Sequence, residues 1–420
     1  MSATTSVTVV GGGFAGLETA FGLRAKLGER ARLTLVSDRD DFLFKPNTIY
    51  VPFGADPTSL LIPLAKPAAK RDIRLVRAPV EAVDRDSGTV HAGGEEIRSD
   101  FTVLATGAGM RPQEIPGLAE HAETIWTPAE MAALGARLQD VLARAASNEA
   151  TTVLFTVPPG NKCAGPLYEL VLMTETWLRR KHVRDRVRLV WTTFEQTYIQ
   201  AFGPKLHEVV LEEFGRRGIE GHARLALAEV SATAARFADG TEVPFDLLVA
   251  FPPYVAAVDY DGFDRDERGF LLTEPETRAV AGSDHVFAPG DAGDFPVKQA
   301  FLAFLQADAV AERIAAEVLG REPAFAFDPV SMCVMEELDT ATFAQVPLVV
   351  TGDPERPVAV RPGANGAYRV GVSPLWRLGK KMLGLYLPLR FRSGLPFHEG
   401  APWRAMETGL RGMSAALARR

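Results

Sequence analysis

The apolar positions of the first forty residues follow a strand, turn, helix and strand pattern. Residues 6–10 form a short run rich in β-branched side chains, which predicts a buried strand. A glycine-rich turn follows, and a helical stretch begins at Leu17. A second strand is predicted over residues 32–36. This order is typical of a βαβ unit in an α/β protein with a parallel sheet.

Three glycines in the first turn have the spacing of a dinucleotide-binding fingerprint. Gly11, Gly13 and Gly16 would allow the tight bend, the approach of a pyrophosphate and the packing of helix against strand. The helix that follows offers its N-terminus to the phosphates. Asp38, 22 residues after Gly16, is the candidate for binding the adenosine ribose. The alternative is a βαβ unit that binds no nucleotide.

Two later segments also end in glycine-containing turns. Residues 100–106 and residues 285–291 are each predicted as a strand. The first leads into a turn at Thr106 and Gly107, and the second ends in Gly290 and Asp291. Together with the first fingerprint, and in this order, the turns resemble those of the two-dinucleotide flavoprotein disulfide reductase superfamily. The resemblance implies that they close on FAD, with Asp291 facing the ribityl or pyrophosphate region. No metal site is predicted.

A second unit has the strand of a dinucleotide-binding fold but lacks its fingerprint. The strand is predicted over residues 151–157, and the turn after it, residues 158–166, contains prolines and Cys163 but no GxGxxG. Prolines stiffen a turn and remove the N–H donors that a pyrophosphate needs. We infer that nicotinamide binding has been lost and that the turn presents a thiol to the flavin instead.

The segments around the two cysteines point to one family. PPGNKCAGPLYELVLM contains Cys163 and SMCVMEELDTATF contains Cys333. Both resemble the redox-cysteine motifs of sulfide:quinone oxidoreductases, and the related flavoprotein subunit of flavocytochrome c sulfide dehydrogenase also has two such cysteines. The resemblance covers nearly the whole chain. It implies sulfide or another small sulfur donor, a membrane quinone, and a Cys163/Cys333 redox pair in which Cys333 lies nearer the flavin and Cys163 accepts sulfur.

The residues themselves leave a second interpretation of the thiols open, because a free buried cysteine is most often a small core residue. Cys333 stands in an apolar run, residues 330–335, where this alternative is as good as the redox role. Cys163 follows a strand, at the end of the sheet where ligands bind in α/β proteins. A helix that starts near Pro166 is expected to lower the pKa of the Cys163 thiol through its dipole.

Two charged residues complete the predicted site. The resemblance gives Glu169 the role of proton acceptor near the sulfur, since a carboxylate beside an apolar pocket has a raised pKa suited to acid–base work. It puts Lys298 near the flavin ring and the quinone, where a cation stabilises reduced flavin. A helix is predicted to follow over residues 299–316. The alternatives are a solvated helix residue and an exposed lysine at a helix start. Trp126 stands where many members have a third cysteine, so covalent attachment of the flavin there is impossible.

Composition excludes several classes of protein. The chain has 420 residues, of which 47% are hydrophobic, and its two cysteines are too few for a disulfide scaffold. The net charge of −7 argues against nucleic-acid binding. No run of about 18 apolar residues, the length of a membrane-spanning helix, is present. The N-terminus also lacks the pattern of a cleaved secretory signal.

Positive charge is concentrated in the tail, residues 371–420, which carry nine Lys/Arg and two Asp/Glu. Two stretches there have apolar residues at helical spacing, first Leu375, Leu378, Met382, Tyr386 and Leu389, then Trp403, Met406, Leu410, Met413 and Leu417. Pro388 is expected to end or kink the first stretch. Basic amphipathic helices can lie in a membrane surface, and the alternative is docking on the protein's own core. The resemblance implies a monotopic anchor through which quinone enters.

The sequence therefore predicts an α/β protein with two Rossmann-like units and a C-terminal amphipathic, membrane-associating extension. Residues 1–110 and 270–320 are assigned to an FAD-binding domain, 111–269 to a second domain without the NAD fingerprint, and 321–420 to the extension. The predicted function is FAD-dependent sulfide oxidation with quinone reduction at the cytoplasmic membrane. Two alternatives remain: a type II NADH:quinone dehydrogenase-like enzyme, and a non-catalytic flavoprotein that docks a cytochrome or a membrane partner.

Overall fold

The structure, a computed structural model, describes residues 4–364 and 366–418. Residues 1–3 of the predicted FAD domain and residues 419–420 of the basic tail lie outside this part. The strands are, in chain order, β1 (Thr5–Val10), β2 (Ala31–Ser37), β3 (Asp41–Leu43), β4 (Leu61–Pro63), β5 (Ile73–Arg77), β6 (Val80–Val83), β7 (Val90–Ala92), β8 (Glu95–Ile97), β9 (Phe101–Leu104), β10 (Ala108–Met110), β11 (Glu123–Thr124), β12 (Thr151–Val157), β13 (Val187–Thr193), β14 (Glu220–His222), β15 (Leu227–Val230), β16 (Ala234–Phe237), β17 (Glu242–Pro244), β18 (Leu247–Ala250), β19 (Tyr254–Ala256), β20 (Val286–Phe287), β21 (Val330–Glu336), β22 (Ala341–Val350), β23 (Val358–Val360) and β24 (Arg369–Val372).

The helices are α1 (Phe14–Leu27), α2 (Ala65–Lys70), α3 (Leu118–His121), α4 (Pro128–Ala146), α5 (Gly165–Arg180), α6 (Gly203–Arg217), α7 (Ala300–Leu319), α8 (Pro374–Arg392) and α9 (Ala401–Leu417). Short 3₁₀ segments also occur, and two of them, Lys45–Phe53 and Gly290–Ala292, border the candidate site. Within the described residues, no helix combines the length and the apolar character that crossing a membrane requires.

The first sheet consists of five parallel strands in the order β20–β9–β1–β2–β5. Residues 7–10 of β1 are all buried, as expected for the central strand of a parallel sheet that is covered on both faces. The chain returns to this sheet with β20 only after it has built the second unit. The glycine turn, residues 11–13, therefore lies at the carboxyl end of the central strand.

The second sheet is also parallel, with the order β11–β18–β12–β13–β14. Its central strand β12 has the bounds that the sequence predicts. The turn after β12 carries Cys163, and α5 begins at Gly165, next to the predicted Pro166. Cys163 thus lies where ligands bind in open α/β sheets. The exact domain bounds stay a prediction.

The chain after α7 forms a small antiparallel sheet that packs against the second unit. β21 pairs with β22, so that Cys333 lies opposite Ala344, and β24 pairs with the other edge of β22. β21 packs against α5 and α8. This packing brings the strand of Cys333 to the helix that begins beside Cys163.

Three local predictions differ from the structure. The segment at residues 285–291 is a strand only over β20, and its end forms a 3₁₀ turn. The helix predicted from Gln299 begins at Ala300 and extends to Leu319. Of the two outcomes expected at Pro388, an end does not occur: α8 continues to Arg392, because Leu387 and Phe391 on either side are buried and their packing outweighs one lost hydrogen bond.

The two predicted amphipathic stretches behave differently. On α9, Trp403 and Met406 pack against the core of the first unit, and Leu410, Met413 and Leu417 pack beside Phe343 and Trp376. On α8, a stripe of side chains is 51–76% exposed, and its members are Leu375, Leu378, Met382, Leu385 and Leu389. Tyr386, which the sequence puts in this stripe, is instead half-buried, 5.8 Å from the Phe397 ring.

Candidate active site

The three fingerprint glycines are each required by the backbone around them. A Cβ atom at Gly11, whose φ is +115°, would lie 2.3 Å from the carbonyl oxygen of Ala105. At Gly16 it would lie 1.8 Å from the carbonyl oxygen of Gly11. Among the described residues, no heavy atom outside the turn itself lies within 4 Å of a Cβ placed on Gly13. Two glycines therefore allow the close packing of strand and helix, and the third leaves the space that a pyrophosphate needs.

A cavity of about 310 Å³ opens over this turn, and the other predicted FAD residues lie around it. Thr106 accepts a hydrogen bond from the Tyr260 hydroxyl at 3.2 Å, and Gly107 has a φ of +78°. Asp38 lies at the rim and its side chain is 62% exposed. Ser37 is buried instead, and its hydroxyl is engaged with the Arg39 backbone.

The GD turn closes the cavity from the other side. Gly290, with a φ of +77°, donates its N–H to Gln306 Oε1 at 3.0 Å, and a Cβ there would lie 2.8 Å from Ala15 Cβ. Asp291 lines the cavity, and burial raises the pKa of its carboxyl against the opposing effect of Lys298 and Lys45. The turn, the carboxyl and the open glycine fit a dinucleotide of the FAD type, whose phosphates and hydroxyls these groups can bind.

A second cavity, of about 600 Å³, adjoins the first. Four side chains belong to both walls, and they are Phe14, Lys45, Trp126 and Asp291. The second cavity contains the rest of the predicted site, namely Cys163, Cys333, Glu169 and Lys298. The fold thus brings together two thiols that are far apart in the chain, beside the cavity that fits the dinucleotide.

The turn that carries Cys163 is held by Asn161. The Cys163 N–H donates to Asn161 Oδ1 at 2.9 Å, and Asn161 Nδ2 donates to the carbonyl of Phe251 at 2.9 Å. Burial raises the pKa of the Cys163 thiol well above its usual value, and Cys333 adds to this effect, whereas the N–H of Gly165 opposes it. The helix start does act to lower this pKa through the N–H of Gly165, as expected, but desolvation of the thiolate outweighs it and the net shift is upward.

Cys333 faces the same cavity from β21. Both cysteines are unbridged and half-buried. Burial, with a smaller contribution from the Glu169 carboxylate, raises the pKa of the Cys333 thiol to about 12, and the Lys380 ammonium opposes this increase. Burial therefore favours the neutral Cys333 thiol, and the pair Glu169 and Lys380 modifies this preference in opposite directions.

Glu169 is a buried residue of α5 and not a solvated one. Its Oε2 accepts the Glu336 N–H at 2.9 Å and is hydrogen-bonded to the Lys380 ammonium, which also donates to the carbonyl of Val334 at 2.7 Å. Burial raises the pKa of Glu169, and Lys380 opposes this increase. The carboxyl can hold or release a proton beside the sulfur atoms of the site.

Lys298 is 3% exposed, so the alternative of an exposed lysine at a helix start does not apply. Its ammonium is hydrogen-bonded to the carbonyl of Gly293 and lies 3.7 Å from the centroid of the Phe270 ring. Burial lowers the pKa of Lys298 to about 7, while Asp291 acts in the opposite direction. The residue can present a positive charge or a proton to the wall that both cavities share.

Trp126 lines both cavities as part of an aromatic cluster. Its ring centre lies 5.6 Å from that of Tyr254 and 6.1 Å from that of Phe251, and the Lys45 ammonium lies 2.9 Å from the Trp126 ring centre. An aromatic cluster with a cation above it therefore lies where the two cavities adjoin.

Sequence reasoning missed three residues of this site. Asn161 could have been found, since an asparagine two residues before the cysteine is a signal for a side-chain-stabilised turn. Lys380 stands between the apolar residues of the first tail stretch, and its inward direction follows only from the packing of α8 on β21. Lys45 carries no signal in the sequence.

The amino-acid sequence of this chain is similar to those of several known oxidoreductases. Residues 5–147 match the family model described as pyridine nucleotide-disulphide oxidoreductase. The sulfide-quinone reductase of Aquifex aeolicus is 29% identical over 262 residues, which is 59% of this chain and 58% of that protein. An NADH dehydrogenase-like protein of Mycobacterium tuberculosis is 33% identical over 153 residues, 36% of this chain and 38% of that protein.

The crystal structure of the sulfide:quinone oxidoreductase from Aquifex aeolicus superposes with a TM-score of 0.84, at 22% identity, over 97% of this chain and 96% of that one. The resemblance to sulfide:quinone oxidoreductases is confirmed. The α/β architecture expected for this group is confirmed with it. The sequence alignment spans less than two thirds of the length of the Aquifex aeolicus relative. The substrates, the thiol chemistry and the membrane role of α8 are therefore proposals for this chain.

Proposed function

We propose that this chain is an FAD-dependent oxidoreductase that oxidises sulfide, or a related small sulfur species, and reduces a membrane quinone. One observation carries the proposal: Cys163 and Cys333 meet in one cavity beside the cavity that fits FAD. The name of the Aquifex aeolicus relative, sulfide-quinone reductase, agrees with this assignment. The cofactor is FAD, held by the turns at Gly11, Thr106 and Asp291.

The two thiols take part as a bridge that hydrosulfide opens. Hydrosulfide attacks a Cys163–Cys333 bridge at the Cys163 sulfur, the S–S bond breaks, Cys163 becomes a persulfide and Cys333 becomes a thiolate. FAD, when bound, supplies the two-electron acceptor and donor of this chemistry. The proton released from hydrosulfide goes to a Glu169 carboxylate oxygen, and the Lys380 ammonium stabilises the Cys333 thiolate.

Part of the lining of the second cavity suits an apolar electron acceptor. Leu383, Gly384 and Leu387 of α8 line it, together with Phe301 and Phe397. The same helix exposes its leucine stripe on the outside. A quinone dissolved in a membrane could therefore enter beside α8 without crossing water, which favours quinone over a water-soluble acceptor.

The test is the absorbance of bound FAD under anaerobic conditions, titrated separately with sulfide and with NADH. Sulfide is expected to bleach the flavin band stoichiometrically, and added quinone should restore it. NADH should leave the band unchanged, because the turn after β12 contains Pro158 and Pro159 and cannot cradle a pyrophosphate. Rapid bleaching by NADH would instead identify an NADH:quinone dehydrogenase-like enzyme, the second candidate, to which the Mycobacterium tuberculosis relative points.

No bleaching by either donor, with a stable complex formed through the tail, would identify the third candidate, a non-catalytic flavoprotein. The buried position of Glu169 and Lys380 beside the thiols speaks against this outcome. A protein used only for docking would gain little from a buried ion pair beside two thiols, because removing two charges from water often costs more free energy than their attraction returns.

The stripe on α8 is proposed as the surface that meets the membrane. Replacing Leu378 and Leu385 together by glutamate is expected to weaken binding to anionic phospholipid vesicles by about a hundredfold or more, because each buried leucine contributes ~1.5–3 kcal/mol. Sedimentation with vesicles of phosphatidylcholine and phosphatidylglycerol measures the effect. Leu211 on α6, which is 47% exposed, provides the matched control Leu211→Glu. Equal binding of all variants would contradict the proposed peripheral, monotopic membrane association, whose cytoplasmic side stays a prediction.

A further inference from the structure

The junction of the two cavities contains a lysine to which no role has been assigned above. Lys45 is the first residue of the 3₁₀ segment after β3 and lines both cavities. Its ammonium lies 2.9 Å from the Trp126 ring centre, and within residues 4–364 and 366–418 it has no hydrogen bond and no ion pair. A lysine ammonium has three N–H donors, and among the described residues none of those of Lys45 has an acceptor.

Lys298 provides the contrast. Both lysines act on the same carboxyl, since Lys298 and Lys45 each lower the pKa of Asp291. The ammonium of Lys298 is hydrogen-bonded to a backbone carbonyl, whereas that of Lys45 rests on a ring. Burial lowers the pKa of Lys45 to about 7 against the opposing effect of the Asp291 carboxyl, which lies too far away to form an ion pair with it. A ligand atom that accepts a hydrogen bond from Lys45 would offset the free-energy cost of removing this ammonium from water.

The position of Lys45 decides which part of a ligand it can meet. The glycine turn belongs to the first cavity and fits the pyrophosphate, and the thiols belong to the second. Because the redox-active end of FAD must face the thiols, the junction lies nearer to that end than the glycine turn does. A cation near this end stabilises the negative charge that reduction adds.

We propose that Lys45 is a second cation, beside Lys298, that binds FAD at the junction of the two cavities and favours its reduced state. The inference rests on the proposed function, since it assumes FAD in this site. Trp126 holds the ammonium at the junction through a cation–π contact, so the residue that replaces a third cysteine also positions this lysine.

The experiment compares the midpoint potential of bound FAD in the wild-type chain with that in Lys45→Met and Lys45→Arg, by anaerobic equilibration with reference dyes. Lys45→Met is expected to lose about tenfold in affinity for reduced over oxidised FAD, which is a fall of about 30 mV for a two-electron couple. Lys45→Arg keeps the charge and should stay close to wild type. Lys66→Met, an exposed lysine of α2, is the matched control and should not change the potential.

Three other outcomes would overturn the role of Lys45, the proposed function, or both. An unchanged potential in FAD-loaded Lys45→Met overturns the inference alone. Weaker retention of FAD with an unchanged potential also overturns it, because a contact to a phosphate would have that effect. If Lys45→Met retains too little FAD to measure, Lys45→Gln, which keeps a donor without the charge, takes its place and should show the same fall. Absence of FAD from the wild-type chain would overturn the proposed function as well.

Discussion

Replacing Cys163 by serine is expected to abolish the reduction of bound FAD by sulfide. Serine has nearly the shape of cysteine but forms neither a bridge to Cys333 nor a persulfide. The rate of sulfide-dependent bleaching should fall by about three orders of magnitude or more, as is typical when a nucleophile is removed. Anaerobic stopped-flow absorbance measures the rate.

Two measurements accompany this variant. Reduction by dithionite should remain complete, since it needs no thiol, and this control separates lost chemistry from lost cofactor. Cys333→Ser should show the same loss, because the bridge needs both sulfur atoms. Bleaching by sulfide at the wild-type rate in Cys163→Ser would refute the role of the thiol pair.

Replacing Arg217 by methionine is expected to give the largest loss of stability. Arg217 is buried at the end of α6, and its guanidinium binds four carboxylates, those of Glu175 at 2.7 Å, Glu213 at 3.0 Å, Glu337 at 2.6 Å and Asp339 at 3.0 Å. Without it, buried carboxylates lose their counterion, so the free energy of unfolding should fall by about 3–5 kcal/mol. Urea denaturation followed by circular dichroism measures the change.

The neighbouring arginine provides the control for this prediction. Arg216 pairs with Glu213 but its side chain is 53% exposed, so Arg216→Met should lower the free energy of unfolding by less than about 1 kcal/mol.

Two of the carboxylates around Arg217 lie on or next to the two elements that carry the thiols. Glu175 lies on α5, which begins beside Cys163, and Glu337 follows β21, which carries Cys333. Equal stability of Arg217→Met and wild type would mean that this cluster does not join the two thiol-bearing elements.

The parts of the fold that follow from local pattern were predictable. The bounds of β12 agree with the prediction, and the glycine turn after β1 has the geometry that its spacing implies. Both depend on neighbours within a few residues: β-branched side chains favour a buried strand, and a missing Cβ permits a tight turn. The same holds for the start of α5 near Pro166, because proline is favoured in the first turn of a helix.

The environment of the site was not predictable in the same way. The pKa of Cys163 was expected to be low from its place before a helix, but the tertiary structure buries the thiol beside Cys333, and desolvation then dominates. Two tail segments with the same apolar spacing separate into one helix that docks on the core and one that exposes its leucines. Spacing determines that a helix has an apolar face, and only its neighbours determine what that face meets.

The sequence alone determined the α/β class, the three glycine turns, the loss of the second fingerprint and the resemblance that the comparisons confirm. These follow from backbone sterics and short-range periodicity, which a linear pattern records. Only the tertiary structure decided that Lys380 of the tail meets Glu169, that Lys45 and Trp126 share the cavity junction, and that Arg217 ties α5 to β21. Such contacts join residues far apart in the chain, and their strength depends on burial, which exists only after the chain has folded.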